Sequence, residues 1–290
     1  KKGCNMFFTN TKLAFKALNQ ALKNNHKVLE VVDNWSATFL SDIHWGCGND
    51  ADDANDEAIL HCLQDCQAKD IKSIILNGDI FEGWEADWQE VVRFCKTNQT
   101  RQAIFAILLD YHSNGNLYYI EGNHRPDELQ QLLTALGFEN IKPLDSLLIE
   151  FYGNAGKQLR SKFFALHGHQ ADGLNYYYPA IPKFFVKWLW TPIQNLTGLK
   201  WGWSTPATSK TKQNKIDKIM LRWCNSNNLH TIIGHTHQPQ LHSKYYNIGC
   251  GVFGNESITA IDLHYQDKIK LNLNQIAKNG YIKTLNSKII

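Results

Sequence analysis

The chain has 290 residues, of which 43% are apolar and 20% are charged, and its formal net charge is +3. This composition is typical of a single globular domain, which we expect to carry an insertion. The small net charge and the lack of a Lys/Arg-dense stripe argue against a nucleic-acid-binding protein, and no apolar run is long enough to cross a bilayer.

The predicted elements begin with an N-terminal helical extension over residues 1–33, in which residues 11–23 form an amphipathic helix. From residue 38 onwards, short apolar strands alternate with helices. The loops at the carboxyl ends of such strands converge on one crevice of an α/β sheet. The strands are predicted at residues 38–40, 71–76 and 117–120, and the covering helices at residues 52–69 and 126–136.

The second half contains shorter strands, which predict a second sheet packed on the first. The main domain is assigned to residues 34–274, and residues 275–290 are expected to form a peripheral tail. An aromatic-rich insertion over residues 171–225 interrupts the strand rhythm, and its helical apolar stripe indicates a lid packed on the core. The alternative is an interfacial helix or acyl-chain slot over residues 181–203, which would bring the protein to a membrane surface.

The seven cysteines are an odd number without the spacing of a disulfide framework or a zinc ribbon. We therefore expect reduced thiols and a cytoplasmic protein, with peripheral contact to the inner membrane face as an additional option.

Five short clusters of metal-ligating residues occur in order, each at the end of a predicted strand. Carboxylate and amide oxygens mixed with imidazole nitrogens are the ligands that a pair of divalent ions needs. Any one cluster alone is weak evidence, but five in this order are very improbable by chance. The clusters are Asp42-Ile43-His44, Gly78-Asp79, Gly122-Asn123-His124, His167-Gly168-His169 and Gly234-His235-Thr236-His237.

The residue types suggest how two ions would be shared among these clusters. Asp42 and His44 alternate on a segment predicted to be extended, so that both face one ion. Asp79 is placed to bridge the two ions, and His237 returns to the first ion. The predicted ligands of the second ion are Asn123, His167 and His235.

Such a metal pair binds a bridging hydroxide and clamps phosphoryl oxygens for in-line attack, which predicts hydrolysis of a phosphoester or pyrophosphate. His124 is then the candidate acid that protonates the leaving oxygen. Manganese is the preferred metal, with iron or zinc as alternatives because the mixed ligand set accepts each of them.

The ordered clusters resemble the calcineurin-like metallophosphoesterase superfamily from about Thr38 to Leu263. The resemblance implies a four-layer α/β/β/α fold and the same ligand assignment, with Asp42, His44, Asp79 and His237 around one metal. It further implies Asp79, Asn123, His167 and His235 around the other metal, and His124 as the acid.

Within the superfamily, the Ser41–Gly46 and Gly78–Trp84 segments resemble the UDP-2,3-diacylglucosamine pyrophosphatase branch. The chain is also similar to poorly characterised bacterial phosphoesterases that carry His-Gly-His-Gln before an aromatic insertion, and we rank this branch first. His124 stands where the lipid pyrophosphatases have arginine.

Arg125 stands where the superfamily has an acidic residue that orients the histidine. We interpret Arg125 either as lowering the pKa of His124 or as a contact to a substrate phosphate. Arg125, Lys210 and His169 are the candidate substrate-binding residues.

The leading hypothesis is therefore a hydrolase acting on a phosphorylated small molecule or a lipid-linked phosphate, whose natural substrate and oligomeric state the sequence leaves open. The alternatives are a lipid pyrophosphatase of the UDP-diacylglucosamine type and a non-catalytic, metal-dependent scaffold.

Overall fold

A computed structural model provides the architecture. The stripe predicted at residues 181–203, with most of the insertion, lies outside the described residues. The structure describes residues 11–23, 26–48, 54–84, 86–153, 158–172, 176–177, 209–251 and 256–290.

Two six-stranded sheets form the centre of the fold. Sheet 1 has the order β1-β5-β6-β7-β9-β8, in which β6, β7 and β9 run parallel. Its strands are β1 (His26–Val31), β5 (Ser146–Tyr152), β6 (Leu159–Ala165), β7 (His230–Ile233), β8 (Gln240–His242) and β9 (Tyr245–Asn247).

Sheet 2 has the order β12-β11-β10-β2-β3-β4, in which β2, β3 and β4 run parallel. The three C-terminal strands extend this sheet through antiparallel pairs, beginning with β10 beside β2. The strands are β2 (Trp35–Leu40), β3 (Ser73–Asn77), β4 (Leu117–Ile120), β10 (Ser257–Tyr265), β11 (Ile269–Ala277) and β12 (Ile282–Ile289).

Helices cover the outer face of each sheet. One buried cluster joins sheet 2 to α2, α3, α4 and α5, and another joins sheet 1 to α1 and α6. A third cluster, which includes Phe39 and Phe163, fills the space between the sheets. The helices are α1 (Thr11–Lys23), α2 (Asp56–Ala68), α3 (Trp88–Thr97), α4 (Gln99–Ser113), α5 (Leu129–Ala135) and α6 (Lys210–Asn227).

This arrangement confirms the predicted α/β fold with four layers. It also explains the alternation of strands and helices in the first half of the chain, because parallel strands need crossover connections that pack on a sheet face.

The two terminal segments differ from their predictions. The extension over residues 1–33 is not only helical, since β1 pairs in parallel with β5 at the edge of sheet 1. Residues 275–290 are not a peripheral tail, because they complete β11 and form β12, which pairs with β11. Strand β12 is exposed along most of its length, so its sequence lacks the apolar alternation that would identify a strand.

The insertion ends earlier than predicted, and the second half of the chain does not form a sheet of its own. Residues 210–225, assigned to the insertion, lie in α6, where Ile216 and Trp223 pack against Phe164 of β6 in the buried cluster. Strands β10 and β11, expected in the second sheet, instead extend the sheet of the first half.

A buried ion pair supports the loop that follows β2. The Nε atom of Arg101 lies 2.8 Å from Asp56 Oδ2, and its Nη1 donates to the Gly46 carbonyl at 2.8 Å. The other Asp56 oxygen accepts a hydrogen bond from Trp45 Nε1 at 2.9 Å. The Arg101 side chain is only 1% exposed, so water screens this pair weakly.

We predict that Arg101→Met lowers the free energy of unfolding by about 3 kcal/mol, because it leaves the Asp56 carboxylate without its cation in a largely buried position. Equilibrium urea denaturation measures this change. The control is Lys69→Met, which removes the exposed Lys69–Asp65 pair and is expected to change stability by less than about 0.5 kcal/mol. Equal losses in the two variants would contradict the prediction.

Candidate metal centre

Loops from both sheets meet at the carboxyl ends of their parallel strands. Sheet 2 supplies the residues that follow β2, β3 and β4, and sheet 1 supplies those that follow β6 and β7. The structure therefore brings all seven predicted ligands into one region, where each is at most partly exposed. These ligands are Asp42, His44, Asp79, Asn123, His167, His235 and His237.

The backbone of the ligand loops is left-handed at most of these positions, a feature that the sequence analysis missed. Asp42 and His44 have φ values of 52° and 54°, so they do not alternate on an extended strand as predicted. The φ values of Asp79, His235 and His237 are 49°, 65° and 55°. This conformation is unfavourable for residues other than glycine, and such residues concentrate at functional sites.

Two glycines allow the carboxylates to approach the neighbouring loops. A Cβ atom on Gly122 would lie 2.0 Å from Asp79 Oδ1, and one on Gly234 would lie 2.3 Å from Asp42 Oδ2. Any side chain at these positions would displace a predicted ligand. Gly122 and Gly234 are thus required because there is no room for a Cβ atom beside the two carboxylates.

The ligand atoms form two adjoining groups. One contains Asp42, His44 and His237, and in each group the ligand atoms lie within 4.8 Å of one another. The Nε2 atom of His237 lies 3.0 Å from Asp42 Oδ1. The second group contains Asp79, His167 and His235. A further candidate group, His44, Glu82 and His124, shares His44 with the first and contains no other predicted ligand.

His167 marks the place where the two groups meet. Its Nε2 atom lies 2.9 Å from Asp79 Oδ2 and 4.0 Å from Asp42 Oδ1. Burial raises the pKa of Asp42, but His237 and His167 outweigh it and lower that pKa to about 2. The acid is therefore ionised at neutral pH, as a metal ligand must be.

Orphaned polar atoms test whether these residues fit metal ions. Four predicted ligand atoms are buried and make no well-directed hydrogen bond in the part of the chain that the structure describes, although one of them, His167 Nε2, lies within ion-pair distance of Asp79 Oδ2. Buried polar atoms are rarely unsatisfied, so four close together fit residues whose partners would be metal ions. They are His44 Nε2, Asn123 Oδ1, His167 Nε2 and His235 Nε2.

The opposite ring nitrogens of two histidines are already engaged. His44 Nδ1 lies 2.9 Å from Glu82 Oε2, and His167 Nδ1 lies 3.1 Å from the Asn77 carbonyl. With a proton on Nδ1, the lone pair of Nε2 is left for a metal, which is the usual arrangement of metal-binding histidines.

Glu82 is the main residue of the site that sequence analysis did not assign. Its Oε2 atom also accepts from His124 Nδ1 at 2.8 Å, and its Oε1 atom accepts from the Trp84 backbone amide at 2.8 Å. The Trp84 ring stacks on His124 with centroids 4.0 Å apart. Glu82 lies three residues after Asp79 within the Gly78–Trp84 segment, and this position was the sequence signal that could have identified it.

The carboxylate of Glu82 contacts the His124 ring, which is the contact that the resemblance implied for an acid at position 125. Burial lowers the pKa of His124, but the charges of Glu82 and Asp79 outweigh it and raise that pKa to about 9. The interpretation that Arg125 lowers this pKa was therefore wrong. The Arg125 guanidinium instead pairs with Glu121, with Nη1 3.0 Å from Oε2.

The residues predicted to bind substrate are placed differently relative to the predicted metal ligands. The His169 ring lies 5.5 Å from that of His167, and its buried Nδ1 has no hydrogen-bond partner among the described residues. Lys210 is exposed at the start of α6.

A different lysine of α6 approaches the ligands. Lys212 Nζ lies 2.8 Å from Asp172 Oδ2, and that oxygen lies 3.9 Å from His235 Nε2. The sequence analysis did not assign Asp172, which follows the fourth cluster by three residues.

Residues 36–239 match the model of the calcineurin-like phosphoesterases. The chain belongs to this family. The matched segment contains all five clusters as well as Glu82, and it confirms the resemblance on which the fold prediction was based.

Membership makes the protein a metal-dependent phosphoric ester hydrolase. A comparison with curated protein sequences found no match. Among the described residues, no helix combines the length and apolar character that a bilayer-spanning segment needs.

Several solved structures are similar to this calcineurin-like phosphoesterase at low identity. Yfce, a phosphoesterase from E. coli, is 13% identical over 87% of this chain and 98% of its own, with a TM-score of 0.42. A dimetal phosphatase from Danio rerio is 10% identical over 89% and 99%, with a TM-score of 0.43. GAP50 of the Plasmodium inner membrane complex is 15% identical over 88% and 90%, with a TM-score of 0.46.

We predict that Glu82→Gln lowers kcat at pH 8 by about 10- to 100-fold at saturating metal. Without the carboxylate the pKa of His124 falls, and the acid is lost as pH rises through that pKa. The alkaline limb of the pH–rate profile should therefore move to lower pH.

The matched control is Glu90→Gln on the exposed side of α3, which should keep the wild-type profile. An unchanged alkaline limb in Glu82→Gln would show that Glu82 does not set the proton affinity of His124.

Proposed function

We propose that the pocket binds two divalent metal ions and hydrolyses a phosphoester or pyrophosphate bond. The observation that carries this proposal is the pair of adjoining ligand groups with four buried, unsatisfied ligand atoms. Asp79 is suited to lie between two ions because its oxygens face different neighbours. Its Oδ2 atom faces His167 at 2.9 Å, and its Oδ1 atom accepts from the His124 amide at 2.8 Å.

Two bound ions would lower the pKa of a water molecule and offset the charge on the phosphoryl oxygens. The protein itself provides the geometry of the ligands and the proton for the leaving group. In hydrolysis, the water gives one proton to solvent and its oxygen forms a bond to phosphorus while the bond to the leaving oxygen breaks. His124 gives its Nε2 proton to that oxygen, because its Nδ1 is held by Glu82.

His124 is suited to this role by its position at the edge of the pocket. Its side chain is 22% exposed, whereas that of His167 is fully buried. Trp84 covers one face of the ring and donates from Nε1 to the Asn123 carbonyl at 2.8 Å, which limits ring rotation. A leaving group thus cannot approach the imidazole across the face that Trp84 covers.

We propose manganese as the working metal and a phosphorylated small molecule or a lipid-linked phosphate as the substrate. UDP-2,3-diacylglucosamine is one candidate, supported by the likeness of the Gly78–Trp84 segment. His169 beside the second ligand group is suited to contact the substrate, with Arg125 and Lys210 further out. A cytoplasmic location is supported by the seven cysteines, an odd number whose spacing fits no disulfide framework.

The purified protein should bind about two Mn²⁺ ions per chain and hydrolyse bis-p-nitrophenyl phosphate only with metal present. We predict that Asp79→Ala lowers kcat by at least about 1000-fold, because it removes a ligand shared by both ions. Elemental analysis and a turnover assay measure the two quantities.

Asp110→Ala, at an exposed position of α4, is the matched control and should keep wild-type turnover. Full activity of Asp79→Ala, or a wild-type protein that hydrolyses without metal, would contradict the two-metal proposal.

The substrate class is identified by a separate assay of the wild-type protein. The assay uses a panel of monoester, diester and pyrophosphate substrates that includes UDP-2,3-diacylglucosamine.

Peripheral membrane contact through residues 181–203 is a separate proposal, supported by the Trp, Phe and Lys content of that sequence. We predict that the protein floats with anionic liposomes in a density gradient and that Trp188→Ala/Trp190→Ala reduces the floated fraction. A wild-type protein that stays at the bottom of the gradient would exclude this contact.

A further inference from the structure

The loop that carries His235 and His237 is held in a conformation that its own residues disfavour. Both histidines have positive φ values, 65° and 55°, on either side of Thr236. Neither is a glycine, so other contacts have to offset the cost of this backbone. One lies within the loop, where the Thr236 amide donates to the Gly234 carbonyl at 2.8 Å, and the side chain of Thr236 makes further contacts outside it. The contacts of Thr236 are therefore the place to look for that stabilisation.

Thr236 is fully buried, and both functions of its hydroxyl are used. Its Oγ1 atom donates to Asp217 Oδ1 at 2.8 Å and accepts from Asn247 Nδ2 at 2.7 Å. The same Asn247 nitrogen lies 3.3 Å from the Gly234 carbonyl at the start of the loop. Side chains from α6 and β9 thus hold the residue between the two histidines.

Asp217 is itself fixed by sheet 1. Its Oδ1 atom accepts a second hydrogen bond from Tyr245 Oη at 2.6 Å, and its Oδ2 atom accepts from Gln240 Nε2 at 3.1 Å. Strands β9 and β8 therefore set where this carboxylate lies. A rigid acceptor of this kind can position the Thr236 hydroxyl.

Movement of this loop would disturb both ligand groups together. His237 belongs to the group with Asp42, and His235 belongs to the group with Asp79. The His235 amide also donates to Asp42 Oδ2 at 2.9 Å, which orients that carboxylate. Neither Asp217 nor Thr236 belongs to any candidate ligand group among the described residues.

We propose that Asp217 and Thr236 are positioning residues, whose hydrogen bond holds His235 and His237 in the geometry that binds the two metals. The proposal rests on the metal-binding function proposed above. It assigns a role in the site to α6, a helix that contributes no predicted metal ligand.

The test is Mn²⁺ affinity measured by titration calorimetry on metal-free protein. Thr236→Val removes the hydroxyl at nearly constant volume and should weaken binding about tenfold or more, whereas Thr236→Ser keeps the hydroxyl and should bind within about twofold of wild type. The visible absorption spectrum of the Co²⁺-loaded protein should change in Thr236→Val only, because the geometry of the ligands changes.

A matched control separates positioning from general stability. Thr231→Val removes another fully buried threonine hydroxyl, from β7, the strand before the loop. This hydroxyl donates to the Leu229 carbonyl at 3.3 Å. It should lower the thermal midpoint of the apo protein without changing Mn²⁺ affinity. Equal loss of affinity in Thr231→Val and Thr236→Val would overturn the proposal.

Coupling between the two residues gives a second criterion. Asp217→Ala should weaken Mn²⁺ binding at least as much, because it also removes the contacts to Tyr245 and Gln240. The double variant with Thr236→Val should lose little more than Asp217→Ala alone, because both changes remove the hydrogen bond between Thr236 and Asp217. Additive losses, or wild-type affinity in Thr236→Val, would overturn the positioning role alone. A wild-type chain that binds no Mn²⁺ would overturn this proposal and the proposed function together. If Asp217→Ala does not fold, the comparison of Thr236→Val with Thr236→Ser decides whether the positioning role holds.

Discussion

The site depends on hydrogen bonds that join the two sheets at the ends of their parallel strands. The His235 amide, after β7 of sheet 1, donates to the Asp42 carboxylate, after β2 of sheet 2, at 2.9 Å. A second connection runs from Asn77 Nδ2 of β3 to the Leu166 carbonyl, which follows β6, at 3.0 Å. Without these contacts each sheet would present only part of the ligand set, since neither group is complete within one sheet.

The same junction concentrates acidic and imidazole groups where water is excluded. Asp42 is fully buried and Asp79 nearly so, and burial alone would raise the pKa of both carboxyls. The neighbouring histidines reverse that effect and hold both pKa values below their usual range. Divalent ions bound by the same atoms would supply the positive charge instead of protons on the histidines.

The residues of the metal centre could be predicted from sequence because their chemistry is local. Each cluster combines ligand atoms with a strand end, and the order of clusters determines which family the chain resembles. The match over residues 36–239 confirms that resemblance, while the individual ligand roles stay predictions supported by the orphaned atoms. The fold class was predictable for the same reason, since alternating strands and helices leave few architectures.

Other features depend on contacts between distant segments and could not be predicted. Glu82 approaches both His44 and His124 because β3 lies between β2 and β4 in sheet 2. The left-handed backbone of the ligand loops comes from the close approach of loops, which no local pattern encodes. Strand β12 was missed because an exposed edge strand needs no apolar alternation, and the link from Asp217 to Thr236 spans a helix and a loop.

The contact between Asp42 and His235 joins residues that are 193 positions apart in the chain. No fragment that lacks either sheet contains both ligand groups, so the complete centre cannot form before the two sheets have packed. Long-range closure of this kind is slow, because the entropy of the intervening chain is lost before the contact forms. Binding of a pair of ions by both ligand groups therefore has to follow the packing of the two sheets.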